Sequence, residues 1–199
     1  MNTSYAKAET LTSVVFGPVG WVRSVALVVA FSLLTALAAQ VVIPLPFSDV
    51  PVTGLTFAVL LTGALLGSRL GALAMIAYLM EGASGLPFFY AGHGGLQHLF
   101  NPLTAGYLLA CPFAAFVVGL LAERGWDRRF LTAAAAMFIG SVLILLSGWA
   151  WRARFMSAEQ AFMTGVAPFL LGDIIKIALA ASALPSGWAL LHRRHERGD

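Results

Sequence analysis

From Phe130 to Ala150 no residue carries a formal charge, and five other stretches are nearly as apolar. This repetition constrains the fold more than any other feature. A helix in a water-soluble domain needs one apolar stripe, whereas a run that is apolar all round needs an apolar environment on every side. Of the 199 residues, 59% are hydrophobic and only 11% charged. A soluble domain of this length has too few polar side chains to cover such a surface. The sequence predicts an all-α integral membrane protein. One compact domain, residues 1–199, is expected, with no room for a separate soluble one.

Six segments carry the pattern: about Val22 to Ile43, Val52–Leu66, Leu70–Met80, Ala105–Leu121, Phe130–Ala150 and Val166–Leu191. They are read as six transmembrane helices. The first stops at the prolines of IPLPF. The second and third are short and separated only by GSR, which allows tilting, kinking or partial entry. Residues 1–21 form a polar cytoplasmic leader, too irregular for a secretory signal, with Trp21 at the first interface.

The cations then sort by side. Lys7, Arg23, Arg69, Arg124, Arg128, Arg129, Arg193, Arg194 and Arg197 all fall on one face of a six-span chain, and only Arg152 and Arg154 on the other. This asymmetry predicts cytoplasmic termini in the cytoplasmic (inner) membrane, with 192–199 as a basic tail. It also explains the net charge of +3 without a nucleic-acid partner. The outer connections are IPLPFSDVPVTG, the stretch from Glu81 to Thr104, and WRARFMSAEQAFMTG. The middle one is rich in Gly and aromatics and lacks Lys and Arg. It is either a partly re-entrant lid or an ordinary outer loop.

The last segment contains FLLGDIIKIALAA, with Asp173 and Lys176 three positions apart and so on one helix face. Asp173 is expected about 10 Å below the outer edge of the span. Ionised groups at such depth cost about 2.5–3.5 kcal/mol even on mild scales. The pair must face the bundle interior. Either it neutralises itself and locks the bundle, or it meets a polar ligand entering from outside. A cation favours a carboxylate, and an Asp accepts from N–H donors. Phe88, Phe89, Tyr90, Phe100 and Tyr107 are available to cover a ring. The ligand class is a small, partly apolar molecule with a carboxylate at one end and N–H groups at the other, as in several water-soluble vitamins.

Other patterns are weaker. His93 and His98 lack the spacing of a metal site, and His93, between glycines, is a candidate ligand contact. Cys111 lies in an apolar run and reads as a buried hydrophobe. No Walker A or GxSxG motif is present, and no cofactor motif is found. Ala26 and Ala30 give a small-x-x-x-small face on the first span, suited to internal packing or to a partner subunit.

Taken in order, IPLPFSDVPVTG, VLLTGALLGSRLGALAMIAYL, GLPFFYAGHGG, TAGYLL and LGDIIK resemble the BioY family, the biotin-binding S components of energy-coupling factor (ECF) vitamin importers. The likeness extends from about Val25 to Leu184. It implies a six-helix S-component bundle that binds biotin from the outer side and is not an enzyme. It also implies a coupling transmembrane subunit and cytoplasmic ATPases as partners, beside membrane lipid. The family's Gly-Asp-x-x-Lys falls on Gly172, Asp173 and Lys176, and Pro-Val-Thr on Pro51, Val52 and Thr53. Where relatives continue with Leu-Gln, this chain has Gly54 and Leu55. Thr104, Gly106 and Tyr107 keep the register of a Tyr motif, but Leu108 stands where some members have Arg, so a second cation for the carboxylate is absent there. The resemblance gives Asp173, Lys176, Thr53, His93 and Tyr107 as substrate-binding residues and Ala26 and Ala30 as partner-docking ones. Lys176 is expected on the biotin carboxylate and Asp173 on a ureido N–H, or the reverse. Another vitamin S component, an intramembrane hydrolase using Asp173 and an outer His, and a purely structural subunit are the alternatives.

Overall fold

The protein, in a computed structural model, is described over residues 10–12, 20–44 and 50–196. Most of the expected leader and the LPFSD of the first connection lie outside these residues. Each of the six apolar segments forms a helix: α1 (Trp21–Ala39), α2 (Leu55–Leu66), α3 (Ser68–Ala83), α5 (Ala105–Ala122), α6 (Phe130–Arg152) and α8 (Ala167–Glu196). Two short helices add to them, α4 (Leu96–Leu99) and α7 (Ala158–Gly165). Among the described residues, four helical stretches are long and apolar enough to cross a membrane, formed by α1, α5, α6 and the α7–α8 region. The chain is a multi-pass membrane protein. At 12 residues α2 reaches about 18 Å, less than a hydrocarbon core of about 30 Å.

The second segment departs from expectation at its start. Val52–Thr53 is not helical but a two-residue strand, β2, paired antiparallel with β1 (Val42–Ile43). Pro51 cannot donate a helical hydrogen bond, and the Gly54 N–H goes to the Val41 carbonyl instead. The helix therefore begins at Leu55, where the Thr53 hydroxyl accepts from the backbone N–H.

α5 sits at the centre, against α2, α3 and α6. Its buried face is made of small residues, Ala110, Ala114, Ala115 and Gly119 among them. These let backbones approach closely, which is how helices associate where no hydrophobic effect separates them from lipid. The limit is reached at Gly119, where an added Cβ would lie 2.4 Å from the Gly67 carbonyl carbon and the Ser68 nitrogen. One turn on, Glu123 Oε1 accepts from the Ser68 N–H at 2.7 Å and its hydroxyl at 2.9 Å, which caps α3 from a neighbouring helix. α1 is peripheral and shows lipid an apolar flank, with Trp21 80% and Leu37 70% exposed.

At the end of the bundle that holds the α5–α6 turn, the last helix is latched. Asp127 is buried in the turn, and the Trp188 indole N–H donates to its Oδ2 at 2.6 Å. The Arg128 guanidinium lies 4.8 Å from the centre of the Trp188 ring. Burial raises the Asp127 carboxyl above its ordinary range, opposed by the Trp188 hydrogen bond and Arg128. A raised acid supports the fold while protonated and opposes it once ionised, so its contribution is full below the ordinary carboxylate range and is lost as pH rises through the raised value. Asp127→Asn keeps an acceptor for Trp188 and never ionises. Between about pH 4 and 8 the variant's melting temperature is expected to gain on the wild type as pH rises. Thermal melts in detergent across that range check it, and parallel curves would contradict it.

Candidate ligand-binding site

At the opposite end of the bundle the connections close over a cavity. β2 and the residues before it supply Val50, Pro51 and Thr53, and the first turn of α2 supplies Leu55 and Thr56. Thr104, Tyr107 and Leu108 come from the start of α5, Leu145 from α6, and Phe169 and Asp173 from α8. Tyr90, in a single 3-10 turn, completes the wall. The lining is largely apolar, with hydroxyls at intervals and one carboxylate.

The stretch from Glu81 to Thr104 folds back on the bundle. Phe89 is 1% exposed, with its ring 5.8 Å from Tyr78 in an edge-on contact, and Leu99 is buried in the same cluster. Gln40, just past α1, holds this stretch in place. Its Nε2 lies 3.1 Å from the Phe89 carbonyl, and its Oε1 accepts from the Gly92 N–H at 2.8 Å.

Asp173 is 6% exposed and lines the cavity. The Ser141 hydroxyl of α6 donates to its Oδ2. Oδ1 lies 3.7 Å from Lys176 Nζ, an ion pair too long for a good hydrogen bond. Lys176 spends its close contact elsewhere, donating to Thr56 Oγ1 at 2.7 Å. The acid therefore looks into the cavity, while the base lies one turn deeper and reaches it through Thr56. A carboxylate has about four acceptor positions, so Asp173 keeps capacity for a ligand's N–H groups.

The other sequence candidates divide. Thr53 and Tyr107 line the cavity beside Asp173, and so does Tyr90. His93 does not. Its ring stacks on His98 at 4.4 Å and meets Tyr90 edge-on at 5.2 Å, so it stands behind the wall. Phe100 is 53% exposed, Phe89 is consumed by the core and Phe88 is not in the lining, so the aromatic part of the wall is Tyr90 and Tyr107 with Phe169 of α8. Ala26 and Ala30 are both exposed on α1.

Arg152 is a residue that sequence reasoning misplaced. It was expected in an outer loop, yet it is the last residue of α6 and fully buried. Its Nη2 donates to the Thr164 hydroxyl at 2.6 Å and its Nη1 to the Leu103 carbonyl at 3.4 Å. It packs on Gly165, whose carbonyl accepts from the Tyr107 hydroxyl at 2.6 Å. A cation beside Tyr107 therefore exists in this chain despite Leu108. The sequence held one signal for it. Ser157 followed by Gln160 is a capping pattern, and the Gln160 N–H does donate to the Ser157 hydroxyl at 3.2 Å. A helix starting there compresses the turn after α6 and encloses Arg152.

The sequence profile of the BioY family matches residues 4–193. The chain belongs to the BioY family. Among its relatives, the probable biotin transporter BioY of Pyrococcus horikoshii is 40% identical over 79% of this chain and 91% of its own length. The biotin transporter BioY of Rhizobium etli is 35% identical over 81% and 96% respectively. The crystal structure of the S-component for biotin from an ECF-type ABC transporter matches with a TM-score of 0.74, covering 83% of this chain and 90% of that one at 21% identity. The shared fold is thus that of an S component.

Proposed function

We propose that the chain is the biotin-capturing subunit of a vitamin uptake transporter, with the Asp173 cavity as its site. The observation that carries this is a buried carboxylate with spare acceptor capacity, set in an apolar cavity of a BioY-family chain. The relatives bear the names of transporters, which leaves the hydrolase reading without support.

The geometry also favours one orientation. Asp173 and Lys176 are 3.7 Å apart, whereas the ureido group and carboxylate of extended biotin are separated by the fused rings and the whole acyl chain. The pair therefore grips one end. A ureido head offers N–H donors and a carbonyl acceptor together, which matches Asp173 as acceptor and Lys176 with Thr56 as donors. Thr53, Tyr107 and Tyr90 flank the rings, His93 backs Tyr90, and the carboxylate lies toward the opening. The alternative assignment places a folded-back carboxylate on Lys176. Lys176→Met distinguishes them. It is expected to weaken biotin and biotin amide equally, by roughly tenfold each. A loss confined to biotin would assign Lys176 to the carboxylate.

In this reading the chain forms a single domain of six spans in the cytoplasmic membrane, with both termini cytoplasmic and the 81–104 stretch as a partly re-entrant outer lid. The charge asymmetry of the connections supports the orientation. Energised uptake uses an ECF coupling transmembrane subunit and ATPases, docked on the exposed Ala26/Ala30 face. Mass spectrometry of the purified full chain after incubation with biotin tests the central claim. One biotin per chain is expected, and none at saturating biotin would refute it.

A further inference from the structure

A second concavity lies on the outside of the α5–α6 pair. Leu109, Ala110 and Phe113 of α5 line it together with Ala150, and Trp151 and Arg154 close its upper end. It shares no residue with the ligand cavity. Its floor faces the hydrocarbon, with Phe113 72% exposed. Its head is different. The Trp151 indole nitrogen is buried with no hydrogen-bond partner among the described residues. The Arg154 guanidinium carbon sits 5.1 Å from the centre of the Trp151 ring, and no carboxylate among the described residues forms a salt bridge with it. A cation stacked on a ring, with no carboxylate beside it, calls for an anionic acceptor. The apolar groove below calls for a hydrocarbon chain attached to that acceptor.

We propose that this groove binds one anionic phospholipid from the leaflet on the ligand-cavity side. An acyl chain lies along Ala110 and Phe113, and the phosphate accepts from Arg154, which stacks on the Trp151 ring. The site is independent of the biotin reading, because neither head residue touches that cavity. Lipid here holds the α5–α6 pair at the level where Tyr107 and Arg152 set the cavity wall.

The full chain in detergent, stripped of lipid, is titrated with phosphatidylglycerol, phosphatidylcholine and diacylglycerol of one acyl composition and read by native mass spectrometry. Preferential retention of one phosphatidylglycerol is expected. Arg154→Gln should weaken it roughly tenfold. Trp151→Leu, which removes the ring beside the guanidinium, should weaken it roughly fivefold. Ala150→Phe, which fills the groove and leaves Arg154 in place, should expel the same lipid. Melting temperatures in lipid-free detergent show whether each variant is folded. Equal retention of the three lipids, or wild-type retention by folded Arg154→Gln, would mean ordinary annular lipid and overturn the proposal.

Discussion

Asp173→Ala is expected to weaken biotin binding by about 30-fold to several thousand-fold, the range for truncating a buried charged group at a binding interface. Three losses combine. The ligand loses its acceptor, the Ser141 hydroxyl loses its partner, and Lys176 is left as a partly buried cation without its counter-ion. The last of these destabilises the protein as well as the site. A fall in binding alone is therefore ambiguous. The double variant Asp173→Ala/Lys176→Met removes both charges, so it should recover much of the melting temperature lost in the single variant while binding stays lost. Titration of labelled biotin beside thermal melts reads both quantities. If the double variant binds biotin as the wild type does, the ionisable pair is a structural lock and the site lies elsewhere.

The second large effect concerns the fold. Gly119→Val is expected to destabilise the protein by about 3 kcal/mol or more, beyond the usual cost of overpacking. The reason is the identity of the atoms in the way. An added Cβ would meet main-chain atoms of Gly67 and Ser68, which cannot rotate aside as a side-chain tip can. Gly67 itself has φ +83°, a conformation that resists rearrangement in any residue with a Cβ. Pushing α5 off this turn also pulls Glu123 from the α3 terminus. Size-exclusion profiles and melts in detergent should show little monodisperse protein. A variant that melts within a few degrees of the wild type would mean that the α2–α3 turn yields more readily than its geometry indicates.

The helices were readable because lipid demands a simple pattern. A span such as Phe130–Ala150 must be apolar on all sides, and that is visible without knowing any neighbour. The shared face of Asp173 and Lys176 was readable for a related reason, since helical spacing is local. Their partners were not, because Ser141 and Thr56 are brought in by packing across 32 and 120 residues of chain. The β1–β2 pairing was missed because two-residue strands have no period to detect. Arg152 was misread because a cation among polar neighbours resembles a loop until the following helix is placed. The glycine-rich setting of His93 says that the backbone turns there but not which way the ring faces.

Gln40 gives the architecture a mechanical meaning. It lies at the join between the most exposed helix and the stretch that supplies Tyr90 to the cavity, and it is bonded to both. Its Nε2 reaches the carbonyls of Ala36 on one side and Phe89 on the other, each at 3.1 Å. α1 is thus a lever whose short arm ends in the roof of the site. Any tilt imposed on its lipid-facing flank must either carry the roof with it or break these bonds, so under the proposed function a partner docked on that flank acts on the cavity without touching its ligand.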